Sequence, residues 1–348
     1  MMVYAIDGKD YRLPNGLNPF QRELYVHLIN WKWQHISTEP GTARGHKYDA
    51  ILPDACAREG SSPLVYPGVA EALAEHRRKN KFRIHLHFYH MASSQAANIN
   101  LFLPILHHPN ASAILGAIKP DFDSLATAHL DNGYCIEFWG GNLADSNICS
   151  GNAGLLGDKS AMAGTDSDIA IAYHNHEDEL CLWLIEHKLT EKEFTACGGF
   201  KSHGRQARHD CGKSFSDILR DKSSCYYHDV RKFNYWKLTE VNRTFFANHA
   251  RRTECPFKGG MNQLWRNQLL ALGIEQDTHQ PYKHVTFSVV KHPKNTYLDA
   301  TLDAYTHLIA DSPKFSVLTS ADVIAAAGTH ADATLTEWVA WYKGLYAI

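Results

Sequence analysis

The sequence predicts an α/β fold in which helices flank a mixed central sheet, with helical additions at both ends of the chain. Two observations support this prediction. Residues 169–173 and 180–188 are apolar on both of their alternating faces, which is typical of central strands that are buried on both sides. Apolar helical segments lie before and after these strands, at 93–106 and 262–270.

The first part of the chain mixes short helical and loop segments over residues 1–81, and 69–78 is its clearest helix. Residues 84–88 fit either a short strand or the approach to a helix. That helix begins near Ser93, carries a run of apolar residues and ends before Pro109.

Further along, residues 134–138 predict a strand, and the Gly-, Asn- and Ser-rich segment 141–163 predicts a loop. After the strand 180–188, Thr190 and Glu193 have the spacing of a capping box, which predicts the start of another helix. A late strand at 284–290 completes the predicted sheet.

Composition limits the classes of protein to which the chain can belong. It has 348 residues, of which 44% are hydrophobic, so it can bury one large core or two modest ones. It begins without the basic and apolar regions of a secretory signal, and no apolar run approaches the roughly 18 residues of a membrane span. We therefore expect a cytoplasmic protein. Its eight scattered cysteines predict free thiols.

Two charged residues end the otherwise apolar strand 180–188. Glu186 and Lys188 share one face of the strand, about 7 Å apart, whereas His187 points to the other face. Burial of charge is costly unless the charge is paired or bound to a metal. An acidic residue from the neighbouring strand would complete a carboxylate cluster that suits a hard cation.

The length of the turn between the two strands selects that acidic residue. A five-residue loop at 175–179 places Asp168 directly opposite Glu186, and we favour this register. A loop at 174–178 would place Asp166 there instead, and a six-residue loop would turn both aspartates to the wrong face. Two facing carboxylates repel each other unless a cation lies between them, so the pair favours a metal site.

The order of Asp168 and Glu186-His187-Lys188 resembles the PD-(D/E)XK nuclease superfamily, the restriction-endonuclease-like fold. Ser167 stands where the superfamily's pattern has proline. The helix from Ser93, the strands and the helix 262–270 are similar in order to its αβββαβ core. The resemblance extends over roughly residues 82–292 and is closest to stand-alone restriction-type endonucleases.

This resemblance implies a division of the chain. Residues 1–81 would be an N-terminal elaboration, and 82–295 would form the nuclease core. A Cys- and His-rich insertion would occupy about 195–260 of that core. Residues 296–348 would form a C-terminal helical tail that packs onto the core.

The resemblance also implies a metal-dependent endonuclease acting on DNA. Asp168 and Glu186 would hold Mg²⁺, for which Mn²⁺ would substitute, and Asp166 is the fallback ligand. Glu137 would assist as a further acidic residue, and Lys188 would stabilise charge on the scissile phosphate.

Four polar residues are supporting candidates for the site or for contacts with DNA. Gln95 either reaches the site or caps its helix. Gln263, Arg266 and Asn267 fall on one side of a helix, where phosphate contact and core hydrogen bonding are equally compatible with the spacing.

The expected partners follow from the resemblance alone. We expect the chain to bind DNA and no membrane, and the resemblance is compatible with a homodimer and with a cognate methyltransferase. The net charge of −2 does not decide whether the chain binds nucleic acid. The alternative functions are a non-catalytic nucleic-acid binder on a nuclease-like fold and an interaction module organised by zinc. Zinc is disfavoured because Cys211, Cys225 and Cys255 lack the short ligand spacing of most structural zinc sites.

Overall fold

A six-stranded mixed sheet forms the centre of the protein, in agreement with the predicted fold class. The computed structural model describes residues 2–57, 62–140, 154–160, 164–200, 209–251 and 253–348. The predicted loop 141–163 therefore lies mostly outside the described residues.

The strands occupy three sheets, two of which are small hairpins near the N-terminus. These hairpins comprise β1 Met2–Ile6 with β2 Lys9–Leu13, and β3 Gly41–Ala43 with β4 His46–Tyr48. The central sheet comprises β5 Phe122–Leu125, β6 Tyr134–Phe138, β7 Ser167–Asn175, β8 Leu180–Lys188, β9 His284–Lys291 and β10 Phe315–Thr319.

The helices cover both faces of this sheet. In the first half of the chain they are α1 Pro19–His35, α2 Ala70–Asn80, α3 Ser94–Leu106 and α4 Ala111–Ile118. In the second half they are α5 Phe215–Arg220, α6 Tyr226–Asp229, α7 Tyr235–Val241, α8 Met261–Gln276, α9 Asp299–Leu308, α10 Ser320–Thr329 and α11 Ala333–Tyr346.

The sheet has the order β10-β9-β8-β7-β5, and β6 pairs with the same edge of β7 as β5 does. The strands β8, β9 and β10 run parallel to one another, whereas β7 is antiparallel to β8, β5 and β6. Because β5 pairs with the end of β7 near Asn175 and β6 with the end near Ser167, the two strands occupy successive parts of one edge.

The alternating side chains of β7 and β8 enter two different hydrophobic cores. Ile169, Ile171 and Trp183 belong to the core that contains α3 and α11. Ala170 and Leu184 belong to the core that contains α8. The two strands are thus buried on both faces, which explains their apolar sequence.

The register of the hairpin β7–β8 confirms the five-residue loop. Its pairs run from Ile169 with Ile185 to His174 with Leu180. Within the loop, the side chain of Asn175 accepts hydrogen bonds from the backbone amides of Glu177 and Glu179, which stabilises the turn.

Several helix ends have the expected caps. Asn18 and Gln21 form a capping box at α1, and Ser93 accepts a hydrogen bond from the amide of Ala96 at α3. The predicted helices at 69–78, from Ser93 and at 262–270, and the strands at 134–138 and 284–290, are all confirmed.

Residues 84–88 form no strand, and the alternative prediction, an approach to the helix from Ser93, agrees with the structure. Two other predictions about local structure are wrong. Thr190 starts no helix, because the Glu191 side chain accepts hydrogen bonds from the backbone amides of Leu189 and Thr190, and Glu193 lies in a bend. The tail 296–348 contains β10 as well as helices. None of the described helices is long and apolar enough to cross a membrane.

Candidate active site

Asp168 lies at the level of an acidic residue on each neighbouring strand. The pair Ile169–Ile185 places Glu186 next to it on β8. On the other side, Ile136 pairs with Ile169 and Phe138 with Ser167, so Glu137 on β6 is at the same level. Asp168 and Glu186, as directly opposed residues of antiparallel strands, project to the same face. Glu137 lies at their level on the third strand, close enough for its charge to act on Asp168, so the three carboxylates form a row across the sheet.

Asp168 is held by the backbone of the neighbouring strand. Its Oδ2 accepts a hydrogen bond from the amide of His187 at 2.6 Å. Burial raises the pKa of Asp168 well above its usual range, and the negative charges of Glu186 and Glu137 raise it further. This carboxyl group therefore lies in a site with an excess of negative charge.

Glu186 is only 4% exposed and has a partner at each oxygen. Two amides on α8 donate to it: Gln263 Nε2 to Oε1 at 2.7 Å and Asn267 Nδ2 to Oε2 at 2.8 Å. Lys188 Nζ lies 2.8 Å from Oε1. These contacts fix the orientation of the Glu186 carboxyl group.

Lys188 is 7% exposed and remains a cation. Burial lowers its pKa, but the charges of Glu186, Glu191 and Asp168 outweigh burial, so the net shift is upward. Its ammonium group also lies 5.8 Å from the centre of the Phe194 ring. The site therefore carries a permanent positive charge beside its carboxylates.

Glu137 has an unusual backbone conformation in the middle of β6, with φ of +52°. Its Oε1 accepts a hydrogen bond from Gln95 Nε2 at 2.7 Å. Burial and then the charge of Asp166 raise the pKa of Glu137 to about 8. A left-handed backbone costs of order 1–3 kcal/mol for a residue with a side chain, and such strain clusters at functional sites.

Asp166, the predicted fallback ligand, precedes β7 and lies near Glu137. Its Oδ2 is 3.3 Å from Lys159 Nζ, and its side chain is 37% exposed. The structure therefore brings Asp166 to the site, but it places Asp168 at the level of Glu186.

A cleft with a volume of about 470 Å³ opens beside Glu137 and Asp166. Lys81, Arg83 and Lys159 contribute positive charge to its lining. The remaining lining residues include His85, Leu86, His87, Trp139, Asn80, Phe82, Ser160 and Gly164. The cleft thus combines acidic residues with cations and aromatic surface.

The chemistry of the donors suits a hard divalent cation. Four carboxylates meet here, on Glu137, Asp166, Asp168 and Glu186, against the two ammonium groups of Lys159 and Lys188. Four negative and two positive charges leave a net charge of two negative when all six groups are ionised. Carboxylate oxygens are also the ligands that Mg²⁺ prefers. Across the described ranges, no group of three or more His, Cys, Asp or Glu side chains is placed so that it could hold a metal ion.

Three of the four supporting candidates reach the site. Gln95 contacts Glu137, and Gln263 and Asn267 contact Glu186. Arg266 turns away from Glu186: its Nη1 donates to Thr165 Oγ1 at 3.0 Å and lies 3.9 Å from Asp158 Oδ2. The guanidinium group of Arg266 therefore lies away from the side of α8 on which Gln263 and Asn267 contact Glu186.

Sequence reasoning missed the residues that support the segment before β7. Asp158 Oδ2 accepts hydrogen bonds from Thr165 Oγ1 and from Tyr235 OH at 2.6 Å. Lys159 also lies 5.3 Å from the ring centre of Trp139. Their positions depend on long-range contacts, and no local pattern marks them.

Comparison with known proteins gives one match. No curated protein and no solved structure matches the chain. The model of a protein family described as "Restriction Endonuclease associating with ARP" matches residues 27–347, which is nearly the whole chain. The chain therefore belongs to the REase-ARP family, a restriction-endonuclease family.

Proposed function

We propose that this chain is a metal-dependent endonuclease that hydrolyses phosphodiester bonds in DNA, with a site of the PD-(D/E)XK type. The observation that carries the proposal is the row of Glu137, Asp168 and Glu186 across three strands, with Lys188 paired to Glu186. Membership of a restriction-endonuclease family supports the same reaction class.

In this proposal Asp168 and Glu186 hold Mg²⁺, and Mn²⁺ substitutes for it. Glu137 assists as a third carboxylate, and Asp166 is the fallback ligand. When bound, the cation polarises the scissile phosphate and lowers the pKa of the attacking water. The amide groups of Gln263 and Asn267 orient the Glu186 carboxylate.

Lys188 acts as the fixed positive charge of the site. Its pKa is raised, so the ammonium group keeps its proton, and it stabilises negative charge that develops on the phosphate. Gln95 positions Glu137 through the hydrogen bond of 2.7 Å and is itself fixed by the backbone of Arg83 and His85.

The cleft supplies a path for the substrate. Lys81 and Arg83 line it beside the carboxylates and would contact backbone phosphates, which dominate the affinity of proteins for DNA. Arg266 is largely covered and is held by Thr165 and Asp158, so we assign it to support of the site instead of DNA contact. The family description names an ARP partner, and we carry this association over to the chain as part of the proposal.

Cleavage of plasmid and genomic DNA by the purified protein in Mg²⁺, Mn²⁺ or EDTA tests the proposal. We expect metal-dependent fragments, and a loss of about 10²–10³-fold in rate for Lys188→Ala, by analogy with removal of other groups that stabilise transition-state charge. Lys119→Ala is the matched control, because Lys119 is also buried and paired, 2.7 Å from Asp121, but outside the site.

An undiminished rate for folded Lys188→Ala would contradict the assigned role of the lysine. Circular dichroism and thermal melting of each variant separate loss of activity from loss of folding. If the folded wild type cuts neither modified nor unmodified DNA with either metal, RNA is the next substrate, and failure there would reject the nuclease reaction.

One observation favours a second candidate, a nucleic-acid binder without catalysis. Both oxygens of Glu186 already have protein partners, so a metal must compete with Lys188, Gln263 and Asn267 for this carboxylate. A non-catalytic binder would bind DNA equally well in EDTA and in Mg²⁺ and would never cut it. The same protein preparation distinguishes the two functions.

A further inference from the structure

Four cysteines from separate parts of the chain face one small cavity away from the carboxylates. Cys197, Cys211, Cys225 and Cys255 all line it. Its volume is about 20 Å³, room for one water molecule or one ion. The surrounding wall is largely aromatic and includes Trp236, Phe257 and Trp265.

Backbone contacts hold these segments together. The amide of Cys255 donates to the carbonyl of Cys211 at 3.3 Å, and the amide of Cys197 donates to the carbonyl of Lys258 at 3.3 Å. The thiols are also close enough to influence each other: burial raises the pKa of Cys255, and Cys225, Cys211 and Cys197 raise it further. The four side chains therefore form one cluster.

Amide groups are directed at the sulfur of at least one of these cysteines. The amide of Phe200 donates to Cys197 Sγ at 3.4 Å. Burial raises the pKa of the Cys225 and Cys255 thiols, while nearby backbone amides, including that of Phe257 beside Cys255, oppose this rise. Such donors stabilise a metal-bound thiolate and orient it.

A buried thiol by itself is an ordinary core residue, as Cys135 and Cys181 are in β6 and β8. The cluster differs because four thiols meet at one cavity and none of them forms a disulfide. Four sulfur ligands are the set that Zn²⁺ takes in structural sites.

Charge around the cavity is compatible with a metal–thiolate centre. Zn²⁺ with four thiolates carries two negative charges. Lys258 lines the cavity as a cation, and Asp210 on the lining is the opposing charge.

We propose that Cys197, Cys211, Cys225 and Cys255 bind one structural Zn²⁺. Binding forms four Zn–S bonds and releases the four thiol protons to solvent. Because the four sulfurs, like every other group of three or more His, Cys, Asp or Glu side chains among the described residues, are not placed to hold a metal ion, the metal must draw them inward and close the cavity. This site is independent of the proposed nuclease reaction.

The zinc would stabilise a part of the chain that has little regular structure. Between Cys197 and Cys255, the described residues form only the short helices α5, α6 and α7 and brief turns. Cys255 lies six residues before α8, the helix that carries Gln263 and Asn267. The metal would therefore fix the approach to the helix that holds Glu186.

The metal content of the full chain tests the proposal. Protein made in zinc-supplemented medium and washed with EDTA should retain about one zinc per chain by mass spectrometry of the metal. Reconstitution with Co²⁺ should give the intense visible bands of a tetrahedral ion and thiolate-to-metal charge transfer. Cys225→Ser should lose both signals, whereas Cys56→Ser, a half-buried free cysteine elsewhere, should keep them.

Two results would overturn the proposal. One is wild-type protein without zinc that gives no thiolate bands with Co²⁺. The other is zinc that persists in folded Cys225→Ser. If Cys225→Ser does not fold, the wild-type Co²⁺ spectrum still decides, because a site made of carboxylates gives weak bands without thiolate charge transfer. Since neither measurement depends on DNA cleavage, their outcome is separate from that of the nuclease proposal.

Discussion

Lys188 and Glu186 form an ion pair of 2.8 Å although their side chains are only 9% and 6% exposed. They lie two residues apart on β8 and project to the same face. Each would be a costly buried charge without the other, because the sheet and α8 exclude most water from both.

The first prediction concerns the stability of this pair. Lys188→Met should lower the free energy of unfolding by about 3–5 kcal/mol, because it leaves the Glu186 carboxylate without its cation. The double variant Lys188→Met/Glu186→Gln should recover part of this loss. Urea unfolding of the three proteins provides the measurement, and an equally unstable double variant would contradict the explanation.

The second prediction concerns pH. Glu137 has a folded-state pKa of about 8, above the value of an unfolded glutamate, so the folded protein holds one more proton between those two values. Stability in EDTA should therefore fall as pH rises from about 5 to 8, by a few kcal/mol at most. Asp168, whose pKa is also raised, contributes in the same direction.

Glu137→Gln should make that pH dependence shallower, because the amide does not titrate. Urea unfolding of wild type and variant at several pH values between 5 and 8 checks this. Identical slopes for the two proteins would show that Glu137 titrates as an ordinary glutamate.

The third prediction separates the two aspartates. Asp168→Asn should reduce metal-dependent cleavage at least about 100-fold, because Asp168 lies at the level of both Glu137 and Glu186. Asp166→Asn should cost less than about tenfold, since Asp166 is more exposed and is paired with Lys159. Single-turnover rates at saturating Mg²⁺ give the comparison. The reverse order would make Asp166 the principal ligand.

The fourth prediction concerns Gln95 as a positioning residue. Gln95→Ala removes its hydrogen bond to Glu137, and outer-shell changes of this kind typically cost 10–100-fold in metal affinity or activity. We expect a higher Mg²⁺ concentration for half-maximal cleavage and a smaller change at saturating metal. Gln276→Ala, which breaks a contact with Asn242 instead, is the control. Equal Mg²⁺ dependence in both variants would argue against a positioning role.

The part of the carboxylate row that could be predicted from the sequence is the part that depends on the length of the turn between β7 and β8. The apolar strands and the five-residue loop define the register of Asp168 against Glu186, because side chains alternate with a period of two. Glu137 was recognisable as an acid in an apolar strand. Its left-handed backbone was not, since a backbone angle of this kind depends on the surrounding structure.

Other features depend on contacts between distant residues. Thr190 and Glu193 have the spacing of a capping box. However, the Glu191 side chain accepts a hydrogen bond from the amide of Thr190, and the Asn295 side chain donates one to the backbone carbonyl of Glu191. The strand β10 is missing from the prediction: it is only five residues long, and most of its residues are at least partly exposed. The four cysteines of the cavity are at least 14 residues apart in the sequence, a separation that hides them from any search for short metal motifs.

The hydrogen bonds of Glu186 also determine when the site can exist. Its two amide donors lie 77 and 81 residues further along the chain, on α8. A growing polypeptide on the ribosome therefore carries Asp168 and Lys188 long before it can orient Glu186. If the chain cuts DNA as proposed, a copy that ends before α8 lacks the two amides that orient this carboxylate.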